Sequence, residues 1–444
     1  MSPVSKSKCT RRSFVGTAAA TVAASTLPRW FVEELHGASQ RNESSEENRA
    51  LSVALIGCGG RGRGIARHAS ELGQVIALCD LDDRQLAEAQ KTWPAAATAK
   101  DFRSVIDRKD VDIVICGTVD HWHALVSIAA MRAGKDVYCE KPLTLTIDEG
   151  KHVVAARQQT GRILQTGSQQ RSDARFRLAC ELVRNGRIGK PQKIDVFLPS
   201  GRREGPFETT PVPDGFDWEM WQGPTPQVDY IKERTHVTFR YWWDYSGGTM
   251  TDWGAHHNDI ALWALGLERS GPVSIAGQPR IEMIPGGFTA ASEYDVEYTY
   301  AGGVTHRCRS TSANAWNGQV LDPQGQQHGV KFIGSEGWVW VTRGAIEASD
   351  PEMLVEPFGS DAVRLYASND HMGNFFECVK SRKQPVCDAE IGHRSASLCH
   401  LGVIAMRAGR KLDWDPTSET FDDQEANKWL VREMRAPWSL KDVS

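Results

Sequence analysis

The sequence predicts an α/β chain in two parts, a doubly wound parallel sheet followed by an α+β domain with a mainly antiparallel sheet. Three observations carry this. Short apolar runs alternate with helical segments from residue 51 to 170, as in a parallel sheet covered by helices. A glycine-rich turn joins the first run to the first helix. Paired β-forming runs follow between residues 171 and 444. The length of 444 residues suits two domains and a tail, at roughly 100–200 residues per domain. Lys+Arg 52 against Asp+Glu 56 leaves a net charge of −4, which provides no basic field for nucleic acid. No apolar run reaches the ~18 residues of a membrane span. Trp (15) outnumbers Phe (14) and Tyr (8), an excess of large flat rings that suggests a ligand.

Residues 1–38 read as a signal segment and 39–50 as a polar linker. Lys6, Lys8, Arg11 and Arg12 precede a mild apolar stretch, Val15 to Leu27, in the order of an export signal. The pair Arg11-Arg12 followed by Ser13-Phe14 resembles the twin-arginine (Tat) signal, which implies export of a folded protein to the periplasm. Ala38 is one candidate for the cleavage site. Cys58, Cys79, Cys116 and Cys139 lie in or at the end of apolar runs, and none of the ten cysteines forms a pair at two-residue spacing. They read as small buried hydrophobes of a protein folded under reducing conditions, and no metal is expected.

In the first domain, Val53–Ile56 is a strand and Gly57-Cys58-Gly59-Gly60-Arg61-Gly62 follows at once. A helix is expected from Gly64 to Ala69. Strand, glycine turn and helix in this order form a dinucleotide fingerprint. Gly57 permits the tight turn, Gly59 admits the pyrophosphate, and Gly62 lets helix pack on strand. The phosphates would sit at the helix N-terminus. Val75–Cys79 is the second strand, and Asp80 ends it. A carboxylate there accepts ribose hydroxyls and repels a 2′-phosphate, which favours NAD over NADP, with Arg84 as the opposing sign. An ordinary helix cap is the structural alternative for Asp80. Helices are expected over 81–92, 123–133 and 147–159, and strands over 111–116, 136–139 and 163–166.

Ligands of such sheets bind at the carboxyl ends of the strands. Those ends bring Thr118, His121, Glu140, Lys141 and Gln169 to the cofactor, beside Gly60 and Arg61. A lysine held at a strand end by Pro142 suits stabilisation of a developing alkoxide, with Glu140 as its ion-pair partner. Asp252 and His256 are four apart and share a helix face. His256 has the right chemistry for a base that takes a hydroxyl proton. A metal cluster of Asp252, His256 and His257, or plain packing, are the competing readings.

Gly57-x-Gly59-x-x-Gly62, the strand-end Glu140-Lys141-Pro142 and Asp252-x-x-x-His256 occur in one order, and that order resembles the Gfo/Idh/MocA family. The resemblance spans residue 50 to the C-terminus. It implies an N-terminal Rossmann domain joined to a C-terminal α+β domain with a large open, mainly antiparallel sheet. It also implies Lys141, Asp252 and His256 as the catalytic set, NAD as cofactor, and homo-oligomers (dimer or tetramer) assembled through the sheet.

In the second domain, strands are expected over 191–198, 294–300, 304–310, 330–333 and 338–342, with Ala301-Gly302-Gly303 as a hairpin turn. Helices are expected over 374–380 and 394–409, packing back on the first domain. Trp338 and Trp340 share a sheet face and suggest a partner surface. Trp122, Trp242 and Trp243 stand beside the expected chemistry and suggest stacking on a carbohydrate. Arg171, Arg240 and His257 complete the expected substrate side. Three functions fit: an NAD(P)-dependent oxidoreductase acting on CH–OH groups of a sugar, polyol or glycoside; an NAD-dependent glycosidase or epimerase that recycles a tightly held cofactor; and a sugar- or nucleotide-binding sensor without turnover.

Overall fold

The computed structural model describes residues 27–39, 50–310 and 328–441. Six parallel strands form the first sheet: β1 (Leu51–Ile56), β2 (Gly73–Cys79), β3 (Ala97–Ala99), β4 (Ile113–Cys116), β5 (Asp136–Cys139) and β6 (Leu164–Thr166). Their order is β3-β2-β1-β4-β5-β6, the doubly wound order whose switch point lies between β1 and β4. The strands β4 and β5 are buried at every position, which is why they read as unbroken apolar runs. The first helix begins at Gly60, four residues before the expected start, with Gly59 as its cap. The second begins at Asp83, where the Asp82 side chain caps the Arg84 amide.

Nine strands form the second sheet: β7 (Pro191–Leu198), β8 (Ser274–Pro279), β9 (Tyr294–Thr299), β10 (Thr305–Ser310), β11 (Gly329–Gly334), β12 (Trp338–Val341), β13 (Ile346–Ala348), β14 (Leu412–Asp415) and β15 (Thr420–Phe421). Their order is β13-β12-β11-β7-β10-β9-β8-β14-β15. Every neighbouring pair is antiparallel except β7 and β10. The β9–β10 hairpin turns at Gly302 and Gly303, both at positive φ. One sheet face, including Ile194, Val196, Val296, Cys308, Val339 and Val341, packs with the helices Ala174–Arg184, Gly254–Leu265 and Ala389–Ala408 into the main core.

The opposite face is charged over its centre: Lys193 and Arg309 both pair with Asp195, and Arg307 pairs with Asp295. Trp338 and Trp340 do share that face, but Trp340 is buried and the Lys331 ammonium lies 4.0 Å from the Trp338 ring centre. The apolar part of the face is therefore smaller than the two tryptophans suggest.

Helix Arg29–Ser39 lies inside the stretch read as an export signal, and it belongs to the fold. Phe31 is wholly buried in the core of the second domain, and the Trp30 indole N–H donates to the Leu354 carbonyl at 3.2 Å. Amphipathic spacing of Trp30, Phe31 and Leu35 explains the docking. The Arg11-Arg12 pair and the linker over 40–49 lie outside the described residues.

Candidate active site

A cavity of about 500 Å³ opens where the carboxyl ends of the parallel strands meet the second domain. On one wall is the glycine turn. Gly57 has φ +90°, and a Cβ there would stand 2.5 Å from Gly117 main-chain atoms. A Cβ on Gly62 would reach 1.9 Å from the Gly57 carbonyl. These two glycines let the turn, β4 and the following helix approach one another. Gly59 and Gly60 differ: nothing lies within 4 Å of a Cβ placed there. They form an open shelf at a helix N-terminus, where unpaired amides favour an anionic diphosphate. Asp80, at the end of β2, accepts the Cys58 amide at 2.6 Å and the Asp82 amide at 2.9 Å. Burial raises its carboxyl above the usual range, against those two hydrogen bonds. Arg84 faces away, its guanidinium held by Asp82. The shelf, Asp80 and the buried, unpartnered Gln169 Oε1 fit a dinucleotide without a 2′-phosphate.

The opposite wall carries the other expected groups. Lys141 follows β5, and its Nζ donates to the Asp252 carboxylate and, at 2.9 Å, to the Asp252 carbonyl. The Arg240 Nε lies 3.3 Å from the other Asp252 oxygen. Burial pushes the Asp252 carboxyl up, but the charges of Lys141 and Arg240 outweigh it and hold it below the usual range. Asp252 ends a short helix (Thr249–Asp252) that restarts at Gly254 after a break at Trp253, so the expected single helix is two segments. Both Asp252 and His256 still line the cavity. Burial, and then the charges of Lys141 and Arg343, hold the His256 imidazole well below 6.5, so it is neutral at neutral pH. Its Nδ1 has no partner among the described residues. Arg61 and Glu140 pair at 2.8 Å across the shelf.

Gly57, Gly59, Gly60, Arg61, Gly62, Asp80, Thr118, Trp122, Glu140, Lys141, Gln169, Arg240, Asp252 and His256 thus line one cavity. Five expected residues do not. His121 is buried with its Nε2 against the Trp221 carbonyl at 2.8 Å, and burial lowers its imidazole to about 3. Arg171 is wholly buried in a two-bond pair with Asp259, each at 2.7 Å. Trp242 packs among Phe207 and Phe288 and donates its indole N–H to the Glu233 carbonyl. Trp243 lies against Arg432 and Arg407, at 3.7 and 4.2 Å from its ring centre, beside a separate cavity. His257 meets His328 at 3.0 Å beneath Trp253. Even Trp122, which lines the cavity, is held edge-on by Phe102 and Trp438 with its N–H on the Trp221 carbonyl. The tryptophans are structural walls, and the expected stacking trio is not assembled.

Sequence reading missed Asp120, His123, His236, Phe239, Trp253 and Arg343, which also line the cavity. Asp120 lies between Thr118 and His121, and His123 follows Trp122, so both adjoin residues named from the sequence. Arg343 had no local signal, because it sits in the β12–β13 turn, far along the chain. Cys116, Cys139 and His123 also converge, their ligand-type atoms within 4.8 Å of one another, a grouping invisible to short spacings. Both His123 nitrogens face main-chain oxygens, of Pro142 at 2.7 Å and Thr118 at 3.3 Å.

A glycine turn and a strand-end lysine of a doubly wound sheet, facing an aspartate and a neutral histidine from a second α+β domain, define a two-domain dinucleotide-binding protein. The chain belongs to the Gfo/Idh/MocA oxidoreductase family: residues 51–168 match the family's NAD-binding Rossmann fold and 181–440 its C-terminal alpha/beta domain. Inositol 2-dehydrogenase of Salmonella typhimurium is 33% identical over 150 residues, 32% of this chain and 44% of that protein. The matched stretch therefore spans less than half the length of that relative. The scyllo-inositol 2-dehydrogenase (NAD(+)) of Bacillus subtilis is 26% identical over 65% of this chain and 73% of its own. Among solved structures, the WlbA dehydrogenase of Bordetella pertussis, in complex with NADH and UDP-GlcNAcA, has a TM-score of 0.61 at 18% identity, covering 82% of this chain and 98% of that one. Aldose-aldose oxidoreductase of Caulobacter crescentus has a TM-score of 0.60 at 19% identity, covering 82% and 100%. At such identities the likeness is one of fold.

Proposed function

We propose that the protein is an NAD-dependent oxidoreductase acting on a CH–OH group of a sugar, polyol or glycoside. The observation that carries this is the placing of a neutral His256, Lys141 and the open Gly59–Gly60 shelf around one cavity. The names of the inositol dehydrogenase relatives agree with it. Bound nicotinamide would supply the hydride acceptor. Lys141 donates a hydrogen bond to the substrate oxygen and stabilises the alkoxide as the C–H bond breaks. His256 takes the hydroxyl proton, which only an unprotonated imidazole does. Asp252 holds the Lys141 side chain in place. Asp80 accepts the ribose hydroxyls. The test is a panel of sugars and polyols assayed with NAD for formation of reduced nicotinamide. The proposal stands if a substrate is oxidised and Lys141→Met lowers kcat by about 10²–10³-fold. It falls if the purified protein binds neither NAD nor NADH.

The Arg11-Arg12-Ser13-Phe14 segment supports a second element of the reading: Tat export to the periplasm with cofactor already bound. Free NAD is scarce outside the cytoplasm, so the cofactor would be restored in place, either by reducing a second sugar or by an oxidation–elimination–reduction cycle on a glycoside without net redox change. Cleavage after Ala38 would remove Phe31 from the core, at about 3–5 kcal/mol for an aromatic side chain. The reading therefore sets any cleavage before Leu27. Co-purified NAD(H) that resists exchange with added NAD supports recycling, and rapid exchange refutes it. Homo-oligomerisation through the second sheet belongs to the same proposal and is read by the mass in solution.

A further inference from the structure

The charges around the chemical end of the cavity do not balance. Four cations line it, Arg61, Lys141, Arg240 and Arg343, against three carboxylates, Glu140, Asp252 and the buried Asp120, which accepts from the Ser246 hydroxyl at 2.6 Å. Arg61 and Glu140 neutralise one another at 2.8 Å. Lys141 and Arg240 share the single carboxylate of Asp252. Arg343 makes no ion pair among the described residues and feels Asp252, already shared by two cations, only from beyond ion-pair distance. Its Nε donates to the Gln170 amide oxygen at 3.3 Å, in the amide orientation that also lets Gln170 donate to the His256 carbonyl at 2.8 Å. Its guanidinium lies over Trp253, 4.9 Å from the ring centre. Asp173, the next nearest acid to act on it, is engaged by Arg175 at 2.8 Å. Burial, and then the charge of Arg61, lower the Arg343 guanidinium from its ordinary value. A half-buried cation is thus positioned by an amide and an indole, with no carboxylate at ion-pair distance among the described residues.

The cofactor does not account for this surplus. A diphosphate is served by the Gly59–Gly60 shelf and the helix that begins there, on the first domain. Arg343 comes from the second domain, in the turn after β12, and lines the cavity with Asp252, Trp253 and His256. An oxidised nicotinamide ring brings a further positive charge towards the same end. A neutral sugar would leave these charges facing one another. A planar guanidinium fork, partly desolvated and held from behind, matches the two oxygens of a carboxylate or phosphate.

We propose that the substrate carries an oxyanion group, a sugar carboxylate or a sugar phosphate, and that Arg343 binds it, with Arg240 as the neighbouring donor. The inference rests on the oxidoreductase reading for the identity of the site, but its charge argument is independent of turnover. The experiment pairs sugars that differ in charge alone: a glucoside, the matching glucuronide and glucose 6-phosphate. Binding to NADH-loaded protein is measured by calorimetry, and turnover with NAD is measured in parallel. Wild type is expected to favour an anionic member by about 10–100-fold, with the preference falling as salt is raised. Arg343→Gln should bring the ratio close to one, chiefly through KM or Kd, and Arg343→Lys should keep part of it. The thermal midpoint of each variant shows that it has folded. A preference for uronate over phosphate, or the reverse, identifies the oxyanion. Equal binding of neutral and anionic sugars by wild type overturns the proposal, and so does a preference that survives Arg343→Gln. Arg343-dependent anion binding without any turnover would refute the oxidoreductase reading while leaving this one standing.

Discussion

His256 owes its neutrality to burial and to the cations beside it, and that combination sets the response to pH. A base works only while unprotonated, so kcat/KM should stay level as pH falls through 6.5 and decline only well below it. Replacing Lys141 by Met removes the largest charge that depresses this imidazole, so the acid limb of the residual activity should move up towards 6.5. A limb that stays in place would dissociate Lys141 from His256. His256→Ala should lower kcat by about 10²–10⁴-fold with little change in KM, the range for loss of a general base. Lys141, Asp252 and His256 were legible in sequence because each lies in a short motif whose spacing is local. Trp242, Trp243, His257 and Arg171 were misread because their side-chain directions depend on distant partners: Glu233, Arg432, His328 and Asp259. Arg343 was invisible for the same reason in reverse, since a turn residue reaches the site only after the second sheet has formed.

The glycine turn separates structural from binding glycines at the level of one element. An added methyl on Gly62 would collide with the Gly57 carbonyl, and one on Gly57 would be both strained and crowded. Gly62→Ala should therefore lower the thermal midpoint. Gly59 has φ −62° and open space around its would-be Cβ, so Gly59→Val should leave the midpoint nearly unchanged. The same branched side chain would stand on the shelf, and NADH Kd should rise at least about tenfold, as read by fluorescence titration. A full loss of stability in Gly59→Val would show that the shelf is packing rather than a binding surface. Elements with strong local patterning, β1, β2, β4, β5 and the β9–β10 hairpin, were all legible. The short strands β3, β13, β14 and β15 were not, because they lack the fully buried positions that mark β4 and β5. Strand β8 begins with a buried Ser274–Ile275 and ends half-exposed, and the parallel pairing of β7 with β10 requires a long-range return that no local signal announces. Helix Arg29–Ser39 was masked because residues 1–38 read as one export-like segment.

For the molecule as a whole, the buried histidines matter more than the net charge. Burial lowers His121 and His306 to about 3, and His371 and His400 to about 4. His256 and His257 are pushed down as well. In the unfolded chain each would titrate near 6.5. As pH falls below 6.5, the unfolded chain therefore takes up protons that the folded protein refuses, and stability is lost progressively down to the folded-state values. Glu149 acts in the other sense. Burial lifts its carboxyl to about 7, so the folded state gains a proton between pH 7 and the ordinary carboxylate range, and this offsets one histidine. Asp80, Asp120 and Glu181 are raised in the same direction. His68 and His123 are raised as well and also gain protons in the folded state, so six groups stand against the six lowered imidazoles and the test is made on one residue at a time. His306 isolates the effect, because burial is the whole cause of its shift and its one hydrogen bond is to the Tyr300 hydroxyl. His306→Asn removes one titrating group, and the pH slope of the unfolding free energy near pH 5 should shrink by about 1.4 kcal/mol per pH unit. The slope, and not the absolute midpoint, is the readout, since the substitution also alters packing. An unchanged slope would mean that His306 takes up its proton in the folded state, and that the buried imidazoles are not what limits this protein in acid.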